Sequence, residues 1–335
     1  MSIGAYARAS DTGRKRRHNE DSYVVAPPLF AVADGMGGAQ AGEVASKLAA
    51  AALEESDHGQ LRGEDGVAEL IQEANRRVHE RSTADPSTSG MGTTMTVALV
   101  ENGNVVIGHV GDSRAYRVRA GQPEQLTEDH SLVNELLKSG KLSPEEAEVH
   151  PQRSVITRAV GTDPDVDVDT FTVAAEEGDV FLLCSDGLTD MVADTAIRDL
   201  VQEHRDDLER AARALVDAAN KGGGEDNITV VAFEIVAGAR EELEETVRMD
   251  APVQAGAADD EDTLSGLEAV PAVDTMVVRP EDVARLGLDG SQAAARPERE
   301  RDRSRVDRSA RLRLVGAMVL MLAIVTALVV WGLLR

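Results

Sequence analysis

The sequence predicts an α/β (α+β) fold in which antiparallel β-sheets carry the core of residues 1–237. Strand-like and helix-like apolar patterns alternate along this region, and there is no repeat of about 20 to 50 residues that would indicate a repeat array. Strands follow one another through short turns such as Asn102-Gly103-Asn104, which is typical of hairpins rather than of parallel strands joined by helices. Apolar residues make up 42% of the chain but aromatic residues only 2%, so the predicted core is aliphatic.

Short aliphatic runs mark the predicted strands, and longer amphipathic stretches mark the predicted helices. In the first helix, Val44, Leu48 and Leu53 lie on one side with alanines between them, which gives an apolar face. The strands are predicted at residues 29–33, 94–100, 105–110, 115–119, 166–173, 179–184 and 228–235. The helices are predicted at residues 42–53, 64–81, 131–139 and 206–219.

Net charge and cysteine content exclude several classes of function. The formal net charge of −25 argues against a nucleic-acid partner, because phosphate contacts need clustered Lys and Arg. Cys184 is the only cysteine, so the chain can form neither an intrachain disulfide nor a cysteine zinc cluster, and a reducing compartment is expected. The first residues lack the apolar run of a signal peptide, and Ser2 excludes N-myristoylation.

Residues 238–313 are predicted to form an acidic, disordered linker that ends in an arginine-rich juxtamembrane segment. From 238 to 295 there are 14 acidic residues against 4 basic ones, and such a composition cannot bury enough apolar surface to offset the entropy of ordering. A short amphipathic stretch at 275–278 could dock on another surface, although a solvated linker is the more frequent arrangement.

Residues 314–334 are predicted to form a transmembrane helix. These 21 residues contain no charge, and at a rise of about 1.5 Å per residue they span roughly the thickness of a bilayer core. Eight arginines lie among four acids in residues 296–313, and only Arg335 follows the apolar run. The positive-inside rule therefore places the preceding domain in the cytoplasm, with a single pass through the cell membrane. A buried core helix is the weaker alternative.

Four aspartates share one setting, at the end of an aliphatic strand and next to a small or polar residue. They are Asp34, Asp112, Asp186 and Asp226. Burying a carboxylate there is costly unless a charged partner offsets its desolvation, and no cluster of lysines lies nearby in the sequence. Oxygen ligands without a His or Cys cluster suit Mg²⁺ or Mn²⁺ better than Zn²⁺. A single Asp-Gly is more often a turn, but four such aspartates predict a divalent-metal site.

Eight short motifs extend this hypothesis from a metal site to a family. They are Arg16-Arg17-His18-Asn19-Glu20-Asp21, Asp34-Gly35-Met36-Gly37-Gly38, Gly92-Thr93-Thr94, Gly108-His109-Val110-Gly111-Asp112-Ser113-Arg114, Thr127-Glu128-Asp129-His130-Ser131, Ile156-Thr157-Arg158-Ala159-Val160-Gly161, Ser185-Asp186-Gly187-Leu188 and Asp226-Asn227-Ile228-Thr229. In this order, over residues 5–233, the sequence resembles the type 2C metal-dependent serine/threonine protein phosphatases. The resemblance implies two antiparallel β-sheets in a sandwich flanked by helices on both faces (α-β-β-α layers), and hydrolysis of phosphoserine and phosphothreonine in proteins.

The resemblance also implies two metal ions in a cleft at one edge of the sandwich, either Mn²⁺ or Mg²⁺. Asp34 would bridge both ions, and the carbonyl of Gly35 would bind one of them. Asp186 and Asp226 would hold the other ion. A hydroxide between the two metals would attack the phosphorus in line, without a phosphoenzyme.

Further residues match supporting positions of the family. Glu20 and Asp21 would ligate a metal directly or order metal-bound waters. Asp112 matches a position that helps to hold a weaker third metal in members of bacterial type. Ser154 ends the segment 141–154, which resembles the mobile flap of the family, and would reach this third ion.

Arg16 matches the arginine that binds the substrate phosphate, and its planar fork can grip two phosphate oxygens in a way that lysine cannot. The proton donor to the leaving group stays open. Animal members often carry a histidine at the position of Met36. Members of bacterial type carry methionine there, as this chain does. A metal-bound water is the favoured donor. His18 lies nearby in the sequence, and His109 is more typical of a hydrogen-bonded structural residue.

Other classes of function fit the sequence less well. Asp165-Val166-Asp167-Val168-Asp169-Thr170 has the spacing of an aspartyl-phosphate phosphatase, but alternating Asp and Val is typical of a half-exposed strand. Cys184 lies in an apolar run, and Asp190 stands where a tyrosine phosphatase needs arginine. An inactive scaffold would be expected to lose a metal ligand, and a calcium-binding module would need EF-hand spacing. The expected partners are phosphorylated proteins, including membrane serine/threonine kinases, and a monomer is the default.

Overall fold

Alternating apolar residues become the strands of two antiparallel sheets in the computed structural model of the protein, which describes residues 1–37, 41–148, 150–237 and 276–277. The strands are β1 (Ser2–Asp11), β2 (Asp21–Ala26), β3 (Leu29–Met36), β4 (Gly92–Thr93), β5 (Met95–Glu101), β6 (Asn104–Val110), β7 (Arg114–Arg119), β8 (Gln122–Gln125), β9 (Val155–Ile156), β10 (Asp169–Ala174), β11 (Val180–Cys184), β12 (Ile228–Val236) and β13 (Met276–Val277). The helices are α1 (Ala41–Glu54), α2 (Gly63–Ala84), α3 (Leu132–Lys138), α4 (Pro144–Glu148), α5 (Asp186–Thr189), α6 (Asp194–Glu203) and α7 (Leu208–Gly222).

The strands form a sandwich of two sheets. One sheet has the order β1-β12-β11-β7-β8, and the other has the order β10-β6-β5-β3-β2, with β4 paired to the end of β3. Neighbouring strands in both sheets run antiparallel. The turn predicted at Asn102-Gly103-Asn104 joins β5 to β6, and Asn102 and Gly103 both take the positive φ that such a tight hairpin requires.

The core lies in three layers, one between the sheets and one beneath the helices on each outer face. Phe30 and Phe233 stack between the sheets with ring centroids 4.3 Å apart, and Phe181 stacks on Phe233 at 5.2 Å. Helices α1 and α2 pack their apolar faces on the second sheet, and α6 and α7 pack on the first. The small alanines of α1 let this helix lie close to the sheet. The predicted α-β-β-α sandwich is confirmed.

Local predictions fail where burial is low or where a side chain competes for backbone groups. The strand predicted at residues 166–173 begins at Asp169, because Val166 packs against the α2 layer while its carbonyl accepts a bond from Gln72 at 2.5 Å. Strand β1 was not predicted, since its small and polar residues form an edge strand with little aliphatic character. Strand β2 and helix α6 were not predicted either.

The C-terminal predictions fall almost wholly outside the described residues. Of the predicted linker, residues 238–313, the structure describes only β13, which pairs in parallel with β9. The predicted transmembrane helix at 314–334 lies outside the described residues. Within the ranges that the structure describes, no helix is both long and apolar enough to cross a membrane.

Candidate metal centre

The topology brings five aspartates to one end of the sandwich. Asp21 begins β2 and is paired in register with Asp34 near the end of β3. Asp186 follows β11, and Asp226 precedes the antiparallel neighbour β12, so these two also lie at a shared end. Asp112 follows β6, which runs parallel to β3 because both flank β5 in antiparallel fashion. The candidate metal ligands therefore meet although they lie far apart in the sequence.

Burial and mutual repulsion perturb these carboxyl groups. Asp34 and Asp186 keep part of their surface at the cleft, yet the protein packed around them raises the pKa of both well above the ordinary value, and neighbouring aspartates raise it further. Burial raises the pKa of Asp21 to about 6. Burial, together with the charges of Asp129 and Asp190, raises the pKa of Asp112 to about 7. Such a group of acids is a place where a divalent cation offsets repulsion.

Two buried carboxylate oxygens show that these residues fit a cation. Oδ1 of Asp21 and Oδ1 of Asp186 are buried and accept no hydrogen bond. A buried acceptor without a donor is costly, and a hard cation is the partner that satisfies it. Within the described ranges, no three His, Cys, Asp or Glu side chains converge closely enough to enclose an ion by themselves. The residues therefore fit cations that also take backbone carbonyls and waters as ligands. Coordination that includes several waters is usual for Mg²⁺.

A close approach between β3 and α1 shapes the floor of the site. A Cβ atom on Gly35 would lie 2.1 Å from the carbonyl oxygen of Gly42 and 2.6 Å from that of Glu20. Only glycine allows these backbones to meet. Ser46, on α1, donates to the carbonyl of Glu20 at 2.5 Å, which holds the Glu20 backbone against the helix. The Gly35 backbone is thus fixed next to Asp34, as its predicted carbonyl role requires.

Polar residues that sequence reasoning missed hold the Asp21 side chain and the Asp34 backbone in place. Ser185 donates from Oγ to Oδ2 of Asp21 at 2.9 Å and accepts the backbone N–H of Thr229 at 2.9 Å. Thr94 accepts the backbone N–H of Asp34 at 2.9 Å, and Thr93 donates to the Asp34 carbonyl at 2.8 Å. These serine and threonine residues, Thr229 included, lie within motifs that point to the family. Their contacts, however, span long sequence separations that no local pattern reveals.

Asn227 ties the N-terminal loop to the metal centre. Its Oδ1 accepts the backbone N–H of Glu20 at 2.7 Å, while its Nδ2 donates to the carbonyls of Thr12 and His18 at 2.9 Å each. Every polar atom of this buried amide therefore serves the loop that carries Arg16. Sequence reasoning recognised the motif but gave Asn227 no role.

The loop places Arg16 directly against a predicted metal ligand. Its Nη2 donates to Oδ2 of Asp226 at 2.8 Å, and both side chains are partly buried. The neighbouring Lys15 pairs with Glu225 at the surface. A guanidinium at this point can contact a phosphate group that also touches the metal centre.

A cavity of about 920 Å³ opens from the metal centre. Asp112 and Asp186 line it from the sandwich, and Arg153 and Ser154 line it from the segment before β9. The structure thus brings Ser154 and Asp112, the predicted third-metal pair, to one cavity. Across the cavity, Arg153 lies 3.6 Å from Asp190.

Alternative chemical roles find little support in the geometry. His109 is fully buried, with Nδ1 3.0 Å from the Thr96 hydroxyl and Nε2 3.1 Å from the Glu128 carbonyl, and burial lowers its pKa to about 3. It is a neutral structural residue, as its setting predicts. Met36 is buried against Ile156 and Ala159 and offers no proton.

The two weaker phosphatase interpretations also lose support. Burial raises the pKa of Cys184 to about 12, so its thiol is inert. Asp169, within the Asp-Val alternation, is bound by Arg158 at 2.6 Å, and His130 lies 3.1 Å away. These contacts give Asp169 a structural ion pair instead of the open approach that a nucleophile needs.

Comparison with known proteins decides the family. The sequence model of protein phosphatase 2C matches residues 14–223. The chain belongs to the protein phosphatase 2C family. It is similar to the serine/threonine phosphatase stp of Listeria welshimeri, with 42% identity over 236 residues that cover 67% of this chain and 93% of that protein. The predicted family and enzyme class are confirmed: the chain is a protein phosphatase.

Solved structures of protein phosphatase 2C relatives share the fold. The crystal structure of the Mycobacterium tuberculosis serine/threonine phosphatase PstP/Ppp has a TM-score of 0.67 and 38% identity, and covers 70% of this chain and 100% of that one. The PstP catalytic domain in complex with two manganese ions has a TM-score of 0.64 and 37% identity, and covers 70% and 99%. Metal dependence is a property of the family to which this chain belongs.

Proposed function

We propose that this chain removes phosphate from phosphoserine and phosphothreonine in proteins, using two divalent cations held by the aspartates at the end of the sandwich. Serine/threonine phosphatase activity follows from membership of the protein phosphatase 2C family and from the activity named for its relatives. The observation that carries the site is the group of buried, mutually repelling carboxylates with Arg16 beside them.

Different residues of the chain would hold the cations and orient the waters bound to them. Asp34, between the other carboxylates, would hold both cations, with Asp186 and Asp226 on one of them and the Gly35 carbonyl on the other. When bound, the pair of cations would lower the pKa of a water and neutralise charge on the phosphoryl oxygens. Glu20 and Asp21 would orient the waters that complete the coordination, since Ser185 and Asn227 hold the Asp21 side chain and the Glu20 backbone.

Arg16 would position the phosphate group. One of its donors is bound to Asp226, so the guanidinium plane is fixed relative to a metal ligand. The planar fork would then hold two phosphoryl oxygens and keep the phosphorus in line with the attacking water. Within the described residues no side chain is assigned as the proton donor to the leaving group.

Mn²⁺ or Mg²⁺ is the metal that the oxygen ligand set favours. A weaker third ion would lie where Asp112 and Ser154 face the cavity. The PstP catalytic domain in complex with two manganese ions supports Mn²⁺.

The test is hydrolysis of a phosphothreonine peptide and of p-nitrophenyl phosphate by the full-length chain. We expect turnover with Mn²⁺ or Mg²⁺, none with EDTA, and a loss of about 100-fold or more in Asp186→Asn with either metal. Turnover that persists in EDTA, or that Asp186→Asn leaves unchanged, would refute the metal-dependent mechanism.

We further propose that residues 314–334 anchor the enzyme in the cell membrane with the catalytic domain in the cytoplasm, where membrane serine/threonine kinases would be among its substrates. The uncharged run and the arginines before it support this arrangement. The chain is expected to act as a monomer. Fractionation of cells should place the full-length chain with membranes, and a variant with three arginines within 314–334 should be soluble; equal distributions would overturn the anchor.

A further inference from the structure

A strand pairing beside the active site has no part in the roles assigned above. β13 (Met276–Val277) pairs in parallel with β9, with Met276 opposite Val155 and Val277 opposite Ile156. Residues 237–275 separate β13 from the end of the catalytic sandwich at β12. The pairing therefore joins the predicted linker back onto the catalytic domain, at the stretch whose sequence is amphipathic.

The backbone of β9 explains why a strand docks there. On one side, Ile156 forms an antiparallel bridge with Ser131, and the N–H of Thr157 donates to the His130 carbonyl at 2.8 Å. Successive residues of a strand direct their backbone groups to opposite edges, so Ile156 directs its own toward the edge that β13 covers. Since Ile156 is fully buried, its backbone groups need partners, and a second strand supplies them.

The docked edge lies close to the catalytic centre. Ile156 packs with Met36 and Ala159 in a small apolar cluster, and Met36 is two residues after Asp34 in β3. Directly before β9, Arg153 and Ser154 form part of the wall of the 920 Å³ cavity. A strand that fixes β9 thus also fixes where this wall begins.

We propose that the edge of β9 is a docking site for the chain's own residues 276–277, and that the docked segment positions Arg153 and Ser154 along the cavity wall. A two-residue strand is weak by itself, because isolated strand pairs are marginal in water. Attachment through the same chain, however, gives an effective concentration on the order of 1 mM, so an intrinsic Kd of about 0.1 mM would leave about ten docked molecules for each free one.

The functional consequence rests on the proposed phosphatase activity. The cavity reaches the metal centre at Asp112 and Asp186, so a phosphopeptide bound at this centre would lie along its wall. A wall held in place in advance would bind it at lower entropic cost. p-Nitrophenyl phosphate needs only the metal centre and Arg16. Release of β13 is therefore expected to raise the KM for a phosphothreonine peptide about threefold to fivefold and to leave kcat for p-nitrophenyl phosphate unchanged.

Hydrogen exchange measured on the full-length chain tests the docking itself. The variant Met276→Pro/Val277→Pro removes both N–H groups of β13, and the matched control Ala257→Pro/Ala258→Pro places two prolines elsewhere in the same linker. We expect exchange at the N–H of Ile156, which is directed toward β13, to be about tenfold faster in the first variant and unchanged in the control. Exchange in β3 and β12 should be the same in all three proteins, which shows that each is folded.

Equal exchange at Ile156 in all three proteins would overturn the docking. Protection that falls when the protein is diluted would also overturn it, because the strand would then come from a second copy. Faster exchange with an unchanged KM for the phosphopeptide would refute the positioning role. The exchange measurement does not depend on turnover, so a failure of the proposed function is distinguishable from a failure of this inference.

Discussion

The guanidinium of Arg16 donates from Nη2 to Oδ2 of Asp226 at 2.8 Å. A residue assigned to the phosphate is thereby bound to a residue assigned to a metal ion. The two are separated by 210 positions in the chain and are brought together by the loop before β2 and the turn before β12. A guanidinium presents its N–H donors in a planar fork, which is the geometry that grips phosphate oxygens bidentately.

Replacing Arg16 by lysine should therefore impair substrate binding and turnover together. We expect Arg16→Lys to lower kcat/KM for a phosphothreonine peptide about 10- to 100-fold, because an ammonium cannot hold Asp226 and two phosphate oxygens in one plane. Arg17→Lys is the matched control, since Arg17 is exposed. Steady-state kinetics with both variants check this. An Arg16→Lys protein with the kcat/KM of its parent would show that positive charge, and not the fork of Arg16, is what matters.

Removing one acidic partner should have opposite effects with and without metal. In Mn²⁺, Asp186→Asn is expected to lose about 100-fold or more in activity and to bind Mn²⁺ more weakly by calorimetry. In EDTA, the same variant should be more stable than the parent, with a Tm higher by roughly 2–4 °C, because a desolvated carboxylate repelled by Asp112 and Asp226 has been neutralised.

Asp199→Asn is the control for that experiment. Asp199 lies on α6 beside Arg198, and its side chain is 67% exposed. We expect no change in activity and little change in Tm, because exposed ion pairs contribute little. An Asp186→Asn protein that is less stable than its parent in EDTA would contradict the repulsion that the buried carboxylates imply.

Ser185 should matter although it is assigned to no metal ion. Its hydroxyl orients Asp21 and accepts the Thr229 N–H, so Ser185→Ala leaves a buried donor and a carboxylate oxygen unpaired. We expect a fall of about 10- to 100-fold in Mn²⁺ affinity and a loss of about 1–3 kcal/mol in the free energy of unfolding. Ser87→Ala, which removes an exposed hydroxyl that donates to Asp85 at 2.7 Å, should leave Mn²⁺ affinity unchanged.

The aspartate cluster could be predicted because each aspartate is marked by the few residues directly before it in the sequence. An aliphatic run that ends in Asp34 or Asp186 is readable in the sequence, and antiparallel pairing then places the end of one strand beside the start of the next. The same reasoning gives no register, so it could not tell that Asp21 stands opposite Asp34. The family motifs supplied the ordering, and the structure shows the pairing.

The supporting hydrogen bonds could not be predicted because their partners are remote in sequence. Ser185 and Asp21 are 164 positions apart, and Asn227 and Glu20 are 207 apart. No periodicity links such pairs, since each contact depends on how two sheets pack. β13 is a related case: the sequence marks 275–278 as a stretch that could dock, but its partner is the edge of β9, whose unpaired backbone groups the stretch itself does not reveal.

Acid should destabilise the fold partly through His109. Burial lowers the pKa of His109 to about 3, below the ordinary value of about 6.5. Between these two pKa values, the imidazole of His109 is therefore protonated in the unfolded chain and neutral in the folded chain. The stability contributed by neutral His109 is present above about pH 6.5 and is lost progressively as the pH falls toward 3, by about 1.4 kcal/mol per pH unit.

Replacing the titrating ring by an amide of similar reach isolates this effect. His109→Gln cannot charge, so its free energy of unfolding should fall less steeply between pH 6.5 and pH 5 than that of the parent, by about 1–2 kcal/mol over the interval. Urea unfolding at several pH values measures both slopes. Parallel slopes for His109→Gln and the parent would mean that the buried ring already carries a proton at pH 5, contrary to its contacts with Thr96 and the Glu128 carbonyl.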